Sequence, residues 1–183
     1  MRLVVGLLVA ATLAALTGCS GEPEQEAPAS TPSPTAIPVF ASEEEALAAA
    51  EDAYREYLEM SDAIARDGGR DPERLGSLVT RDELVRAVAE FEAFAESGRQ
   101  TRGSSRFNTF SLQQYESLSK VAQVTVYVCL DVSDVRVVDE SGRDITPARE
   151  ARQPLSVIFV SADEGSQELV LQRSEQWSSN FCE

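Results

Sequence analysis

The chain has 183 residues, of which 43% are hydrophobic and 26% charged, and 31 acidic against 16 basic side chains give a formal net charge of −15. Such a surface repels phosphate backbones and anionic lipid, which makes nucleic acid an unfavourable partner. Histidine is absent from the sequence, so the commonest acid-base group near neutral pH and the commonest metal ligand are both missing.

The N-terminus combines one basic residue, an apolar run and a cysteine. Arg2 precedes the uncharged run Leu3–Thr17, which leads through Gly18 into Cys19. The run is shorter than the roughly 20 residues that a helix needs to span a bilayer, which argues against a transmembrane anchor. The pattern resembles a bacterial lipoprotein signal. That resemblance implies a signal peptide over residues 1–18 and a mature chain that begins at Cys19, acylated with diacylglycerol and palmitate.

The implied anchor also predicts a location. Because two or more acyl chains give stable membrane attachment, we expect the chain on the extracytoplasmic face of the cell membrane, or at an outer membrane where the cell has one. Every basic residue except Lys120 is arginine. This composition favours a GC-rich, actinobacterial genome.

Residues 19–41 have the composition of a linker. They contain five of the eight prolines, together with Ser, Thr and Ala, and such segments form semi-rigid, solvated spacers. The acidic residues Glu22, Glu24 and Glu26 argue against contact with lipid headgroups. One arginine and three glutamates lie before residue 42, which leaves 15 basic and 28 acidic side chains and a formal charge of −13 for residues 42–183. This length predicts a single domain.

The domain begins with a helical pattern. Ser42 and Glu45 have the spacing of a capping box, and apolar residues then recur at helical intervals, which predicts a helix over 43–66. Asp67-Gly68-Gly69 ends it. Two further helices are predicted, a short one opened by Asp71-Pro72-Glu73 and a longer one that runs from the capping box Thr80–Glu83 to Ser97-Gly98.

Beyond Arg99 the apolar period changes from helical to alternating. In the segment 122–132 one row of side chains is apolar, and the other consists of Gln123, Thr125, Tyr127, Cys129 and Asp131. Further strands are predicted around 107–112, 135–138, 155–160 and 169–172. Turn residues at 139–142 and 163–166 separate the later runs, a pattern typical of an antiparallel meander.

Helices followed by consecutive strands predict an α+β fold with the N-terminal helices packed on one face of a curved antiparallel sheet. From Ser42 onward the chain resembles the nuclear transport factor 2-like (NTF2-like) superfamily of cone-shaped domains, and in particular exported actinobacterial lipoproteins. The resemblance rests on the Ala48-Tyr54-Tyr57 helix face, on 127–132 with the hairpin 135–142, and on the ending from Glu175 to Cys182.

Two cysteines remain once Cys19 is assigned to lipid. An even pair in an exported domain predicts a disulfide between Cys129 and Cys182, worth roughly 4 kcal/mol in the chain-entropy model. It would tie the penultimate residue to a strand, a structural role that we favour over redox function.

The resemblance also supplies candidates for catalysis. Ketosteroid isomerases and polyketide cyclases of this shape place an acidic base and tyrosine donors in the cone pocket, and the matching residues here are Asp131, Tyr54, Tyr57 and Tyr127. A buried aspartate beside tyrosine hydroxyls could abstract a carbon-bound proton and stabilise an enolate. Asp131, however, comes just before Ser133-Asp134, where a solvated turn acid is the default, and the tyrosines lie on apolar faces typical of a core.

Other chemistry is not indicated. The sequence has no Gly-rich phosphate loop and no Gly-x-Ser-x-Gly elbow, so we expect no cofactor. Because histidine is absent and the cysteine pair is assigned to a disulfide, we expect no metal either. Trp177 could line a pocket, but we favour a plug under the tethered tail. Two charged groups have both a binding and a solvated interpretation, the arginines Arg99, Arg102 and Arg106, and the helix acids Glu51, Asp52, Glu56, Glu59 and Asp62.

Three functions therefore stay open. The first is a non-catalytic module that binds a small hydrophobic ligand or an envelope protein, the second a cofactor-free isomerase or cyclase, and the third a structural envelope component whose pocket is filled by its own side chains. A pocket occupied by Trp177, Phe107 or Phe110 would favour the third. We favour a monomer over a homodimer, because the outward row of the strand 122–132 is largely polar.

Overall fold

The computed structural model of the chain describes residues 37–177 and 180–183. The predicted signal peptide, Cys19 and the linker up to residue 36 lie outside the described residues. The elements are α1 (Glu43–Arg66), a 3₁₀ helix (Pro72–Ser77), α2 (Arg81–Glu96), β1 (Gln100–Arg102), β2 (Arg106–Leu118), β3 (Val121–Asp131), β4 (Arg136–Val138), β5 (Arg152–Ser161) and β6 (Leu169–Gln176). They form a mixed helix and antiparallel sheet fold.

Helix α1 covers the predicted residues, and its first turn is capped from both sides. The Ser42 hydroxyl accepts a hydrogen bond from the Glu45 amide at 3.2 Å. The Glu45 carboxylate in turn accepts from the Ala41 amide at 2.8 Å, one residue earlier than a standard capping box requires. The bond to Ser42 satisfies a backbone donor that a helix start leaves unpaired, and the bond from Ala41 ties the preceding residue to the first turn.

The chain that leads into α1 is fastened to the sheet. The Phe40 amide donates to the Tyr115 hydroxyl at 3.0 Å and the Val39 amide donates to the Ser117 hydroxyl at 3.1 Å. Phe40 is buried in the core. The folded unit therefore begins before residue 42, the predicted domain boundary.

The main sheet has the strand order β2-β3-β5-β6, with every neighbouring pair antiparallel. Val124, Val126 and Val128 of β3 belong to the same buried cluster as Phe159 of β5 and one face of α1. We call this face of the sheet the inner face and the opposite one the outer face. No helix among the described residues has the length and apolar character needed to cross a membrane.

Two short strands depart from the predicted meander. β4 pairs with β1 in a separate two-stranded sheet instead of joining the main one, and no strand was predicted over β1. Three polar residues, Gln100-Thr101-Arg102, show no apolar alternation that could have marked it. Gly103 permits this pairing, because a Cβ there would lie 2.1 Å from the Asp134 carbonyl oxygen.

Candidate functional site

The structure does not bring the four candidate catalytic residues together. Tyr54 and Tyr57 project from α1 into or beside the buried cluster on the inner face. Tyr127 and Asp131 belong to the other row of β3, on the outer face. The sheet therefore lies between the tyrosines of α1 and the proposed base.

Tyr54 occupies the centre of an aromatic cluster. Its ring is 1% exposed, and its centroid lies 5.3 Å from that of Phe107, 6.0 Å from Phe110 and 6.3 Å from Phe159. Burial raises the pKa of the Tyr54 hydroxyl well above its usual range, and burial likewise raises the pKa of Tyr57. Side chains of the protein itself thus fill the space between α1 and the sheet, and both phenols stay neutral.

Asp131 has the geometry of a turn acid. Its Oδ1 accepts a hydrogen bond from the Ser133 amide at 2.8 Å. Hydrogen bonds from the Ser133 side chain and backbone hold the pKa of Asp131 below its usual value, and the charges of Arg106 and Arg152 act in the same direction. The group is therefore an ionised carboxylate at neutral pH, whereas a general base that works best near neutral pH has a raised pKa.

The C-terminal residues cover part of the outer face. The Trp177 ring stacks on Tyr127 with centroids 4.3 Å apart, and Phe181 lies 6.0 Å from Tyr127. The Trp177 amide donates to the Pro154 carbonyl oxygen at 3.2 Å. Cys129 and Cys182 form the predicted disulfide. Trp177 therefore packs under the tethered tail, as its interpretation as a plug predicts.

The candidate site is an open groove of about 650 Å³ between α1 and the segment 104–107, which we call the α1 groove. Its lining combines three acids, three arginines, two serines and two apolar side chains, namely Glu51, Arg55, Leu58, Glu59, Asp62, Arg66, Ser104, Ser105, Arg106 and Phe107. Leu58 and the Phe107 ring, which also borders the Tyr54 cluster, provide its apolar surface.

A single carboxylate fastens the two sides of the α1 groove. Asp62 accepts hydrogen bonds from the Ser105 amide at 2.7 Å and from the Ser105 hydroxyl at 2.8 Å. These bonds join the last third of α1 to the start of β2. Because the amide donor belongs to the backbone, Asp62 holds the main chain at Ser105 beside α1.

Charges of both signs are held in place along the α1 groove. The Arg55 guanidinium pairs with Glu51 at 2.9 Å and lies 5.9 Å from the centroid of Phe107. Arg106 pairs with Asp134 at 2.8 Å. Within the described ranges no group of three His, Cys, Asp or Glu residues could hold a metal ion. An apolar surface flanked by fixed charges of both signs suits a polypeptide segment that also carries both.

The sequence patterns identified several of the residues that line the α1 groove, but they did not indicate that these residues lie close together. Glu51, Glu59 and Asp62 come from the predicted acidic helix face, and Arg106 is the one member of the predicted arginine cluster among the lining residues. Asp62 and Ser105 are 43 positions apart. No local spacing signals a contact at that separation, so the two groups appeared independent.

Comparisons with known proteins are informative only at the level of fold. No family model and no curated protein matches the chain. The intermembrane-space region of the chloroplast protein ARC6 superposes with a TM-score of 0.53 at 11% identity, covering 73% of this chain and 97% of that one. At this identity the likeness shows a shared fold and nothing about activity.

Two further solved structures have lower TM-scores. A designed NTF2-like chain, a variant of Rd1NTF2_05, gives a TM-score of 0.32 at 16% identity and covers 70% of this chain and 99% of its own. The iota-carbonic anhydrase from a cyanobacterium, complexed with bicarbonate, gives 0.34 at 13% identity and covers 78% of this chain and 97% of its own.

Proposed function

We propose that the chain is a bacterial lipoprotein whose domain is a non-catalytic protein-interaction module on the extracytoplasmic face of the membrane. The observation that carries the proposal is the contrast between two spaces in the domain. The interior around Tyr54 is filled by aromatic rings, whereas the α1 groove is open to solvent and lined by fixed charges.

The fold that we propose is an NTF2-like cone. Its support is the arrangement of α1 against one face of a four-stranded antiparallel sheet. Register shifts interrupt the pairing of β2 with β3 between Phe107 and Thr109 and between Leu112 and Gln114, and that of β5 with β6 after Ile158. Irregularities of this kind bend strands and increase their twist, as a cone requires.

The placement of the candidate catalytic residues weighs against an isomerase or cyclase. An acidic base and its tyrosine donors would have to face one substrate, and here the sheet separates Asp131 from Tyr54. The Phe107 and Phe110 rings that fill the interior meet the condition stated above as favouring a structural envelope component. We favour interaction over a purely structural role, because the α1 groove offers apolar contact and both charges in one place.

The partner that we propose is an envelope protein, which contributes a polypeptide segment to the α1 groove. Position-specific photo-crosslinking in cells tests this. A photo-crosslinkable amino acid at Glu59, which lines the groove, should yield a discrete protein adduct. The matched control is Glu92 on the exposed side of α2. An adduct of equal yield from Glu92, or none from Glu59 at normal expression, would contradict the proposal.

Native mass spectrometry distinguishes a protein partner from a small ligand. For this measurement the domain is produced from residue 37 in an oxidising compartment. We expect its mass to be that of a monomer without bound ligand. A small molecule retained in the domain would instead point to ligand binding, and Asp131→Asn would then be the first variant to assay for turnover.

A further inference from the structure

The middle of the outer face is covered from within the chain. β3 is an interior strand of the main sheet, and on its outer row Cys129 is fully buried while Thr125 is 9% exposed. Trp177, Phe181 and Cys182, which we call the C-terminal latch, lie on this row through the disulfide and the two ring contacts with Tyr127. The latch therefore covers the outer face around Tyr127 and Cys129.

The latch and the core lie on opposite sides of the sheet. The buried cluster consists of Phe40, Val79 and side chains from α1, the 3₁₀ helix, α2 and the inner face. Neither Tyr127 nor a latch residue belongs to it or is among the side chains packed against it. Besides the disulfide, ring contacts and the backbone bond from Trp177 to Pro154 hold the latch. None of these contacts involves a residue of the buried cluster.

We propose that the Cys129–Cys182 disulfide is more than the purely structural tie expected from the sequence, and that it is a redox-controlled fastening for the latch. When a dithiol reductant opens it, the latch leaves β3 and the outer face around Tyr127 becomes accessible, while the core stays folded. The conformational entropy that the chain end gains when it is freed then favours its release. The inference goes beyond the proposed function and does not depend on the α1 groove.

The exchange has a defined direction. Cys182 is half-buried whereas Cys129 is fully buried, so a reductant thiolate attacks the Cys182 Sγ and the Cys129 Sγ leaves. The second thiol of the reductant then releases Cys182 from the mixed disulfide. The reductant ends as a disulfide, and its two electrons and two protons are on Cys129 and Cys182.

One intrinsic probe reports on the latch alone. The chain contains a single tryptophan, and it is Trp177. Reduction of the domain with dithiothreitol should shift the tryptophan emission to longer wavelength and make the Trp177 ring more accessible to the quencher acrylamide. The far-UV circular dichroism and the slow hydrogen exchange of α1 and β3 amides should be retained in the same sample.

Two variants serve as controls. Cys182→Ser should show the exposed-tryptophan spectrum without reductant, and Tyr127→Leu should change the emission of the oxidised form by removing the stacking partner. Reduction of the native sequence keeps the test valid if a variant fails to fold. Complete thiol release without a change in emission would overturn the proposal, as would a joint loss of emission and circular dichroism in one transition.

Discussion

Asp62 is a charged side chain whose role depends on one distant contact. Its carboxylate accepts hydrogen bonds from the amide and the hydroxyl of Ser105, so its loss removes both of these bonds between α1 and the 104–107 segment. The sequence pattern correctly placed Asp62 on an acidic helix face, but it did not predict the contact with Ser105. Whether such a residue is solvated or bonded depends on the fold around it.

Replacement of Asp62 tests that role. We expect Asp62→Ala to lower the free energy of unfolding by about 1–3 kcal/mol, because two hydrogen bonds to a carboxylate are lost. Asp62→Asn retains one acceptor and should cost less. Urea denaturation measures both. Asp52→Ala, on the exposed side of the same helix, is the control, and a loss as large as that of Asp62→Ala would show that Ser105 is not the cause.

The sequence predicted on which face of a strand each residue lies. It did not predict which side chains each residue contacts there. The alternation of β3 correctly assigned Val124 to the buried face and Tyr127 to the opposite one. It could not show that Trp177 stacks on Tyr127, since the two are distant in sequence. The common pocket for Asp131 and Tyr54 was an expectation from the family resemblance, although the alternation of β3 already placed Asp131 in the row opposite the apolar one.

At the scale of elements, helices with strong capping signals were the most predictable. α1 begins and ends where the capping box and the glycine pair indicate, and α2 follows its own capping box. β1 and β4 were not predictable as a pair, because three-residue strands carry no period. Their association depends on the close approach at Gly103, which is a tertiary contact.

Helix α2 depends on its cap more than α1 does. Only Ala87 of its residues is fully buried, and the Thr80 hydroxyl accepts from the Glu83 amide. Amphipathic helices gain most of their stability from packing, so a weakly packed one is sensitive to its ends. Leu84 and Phe91 contact the core but are half-buried.

Thr80→Ala should therefore destabilise α2 by about 1 kcal/mol, the usual cost of a lost N-cap. The effect should appear as faster hydrogen exchange of α2 amides, with little change in α1. Thr80→Ser retains the hydroxyl and should restore the original rates. Equal acceleration in both helices would mean that the two open together.

For the whole molecule, the proposed anchor determines where the domain acts. Cys19→Ser removes the thiol that accepts lipid. We expect the variant to move from the membrane fraction to the soluble extracytoplasmic fraction or the medium. Fractionation with immunodetection measures this. A neighbouring substitution, Ser20→Ala, should leave the chain in the membrane, and a Cys19→Ser variant found wholly in the membrane would contradict lipid anchoring.

The net negative charge of the domain favours the monomer over a homodimer. Surfaces of one sign repel each other, and the repulsion weakens with salt. Sedimentation equilibrium should give a monomer at low micromolar concentration. A stable dimer under those conditions would reverse this expectation.

The fastening of residues 39 and 40 to β2 has a mechanical consequence. A tensile force applied at Ile37 would act first on the bonds from Val39 to Ser117 and from Phe40 to Tyr115. Helix α1 lies behind these bonds and would carry no load until they broke. The Ser117 and Tyr115 hydroxyls of β2 therefore shield α1 from the force. The first few residues of the domain would detach from β2 before the helix was pulled from the sheet.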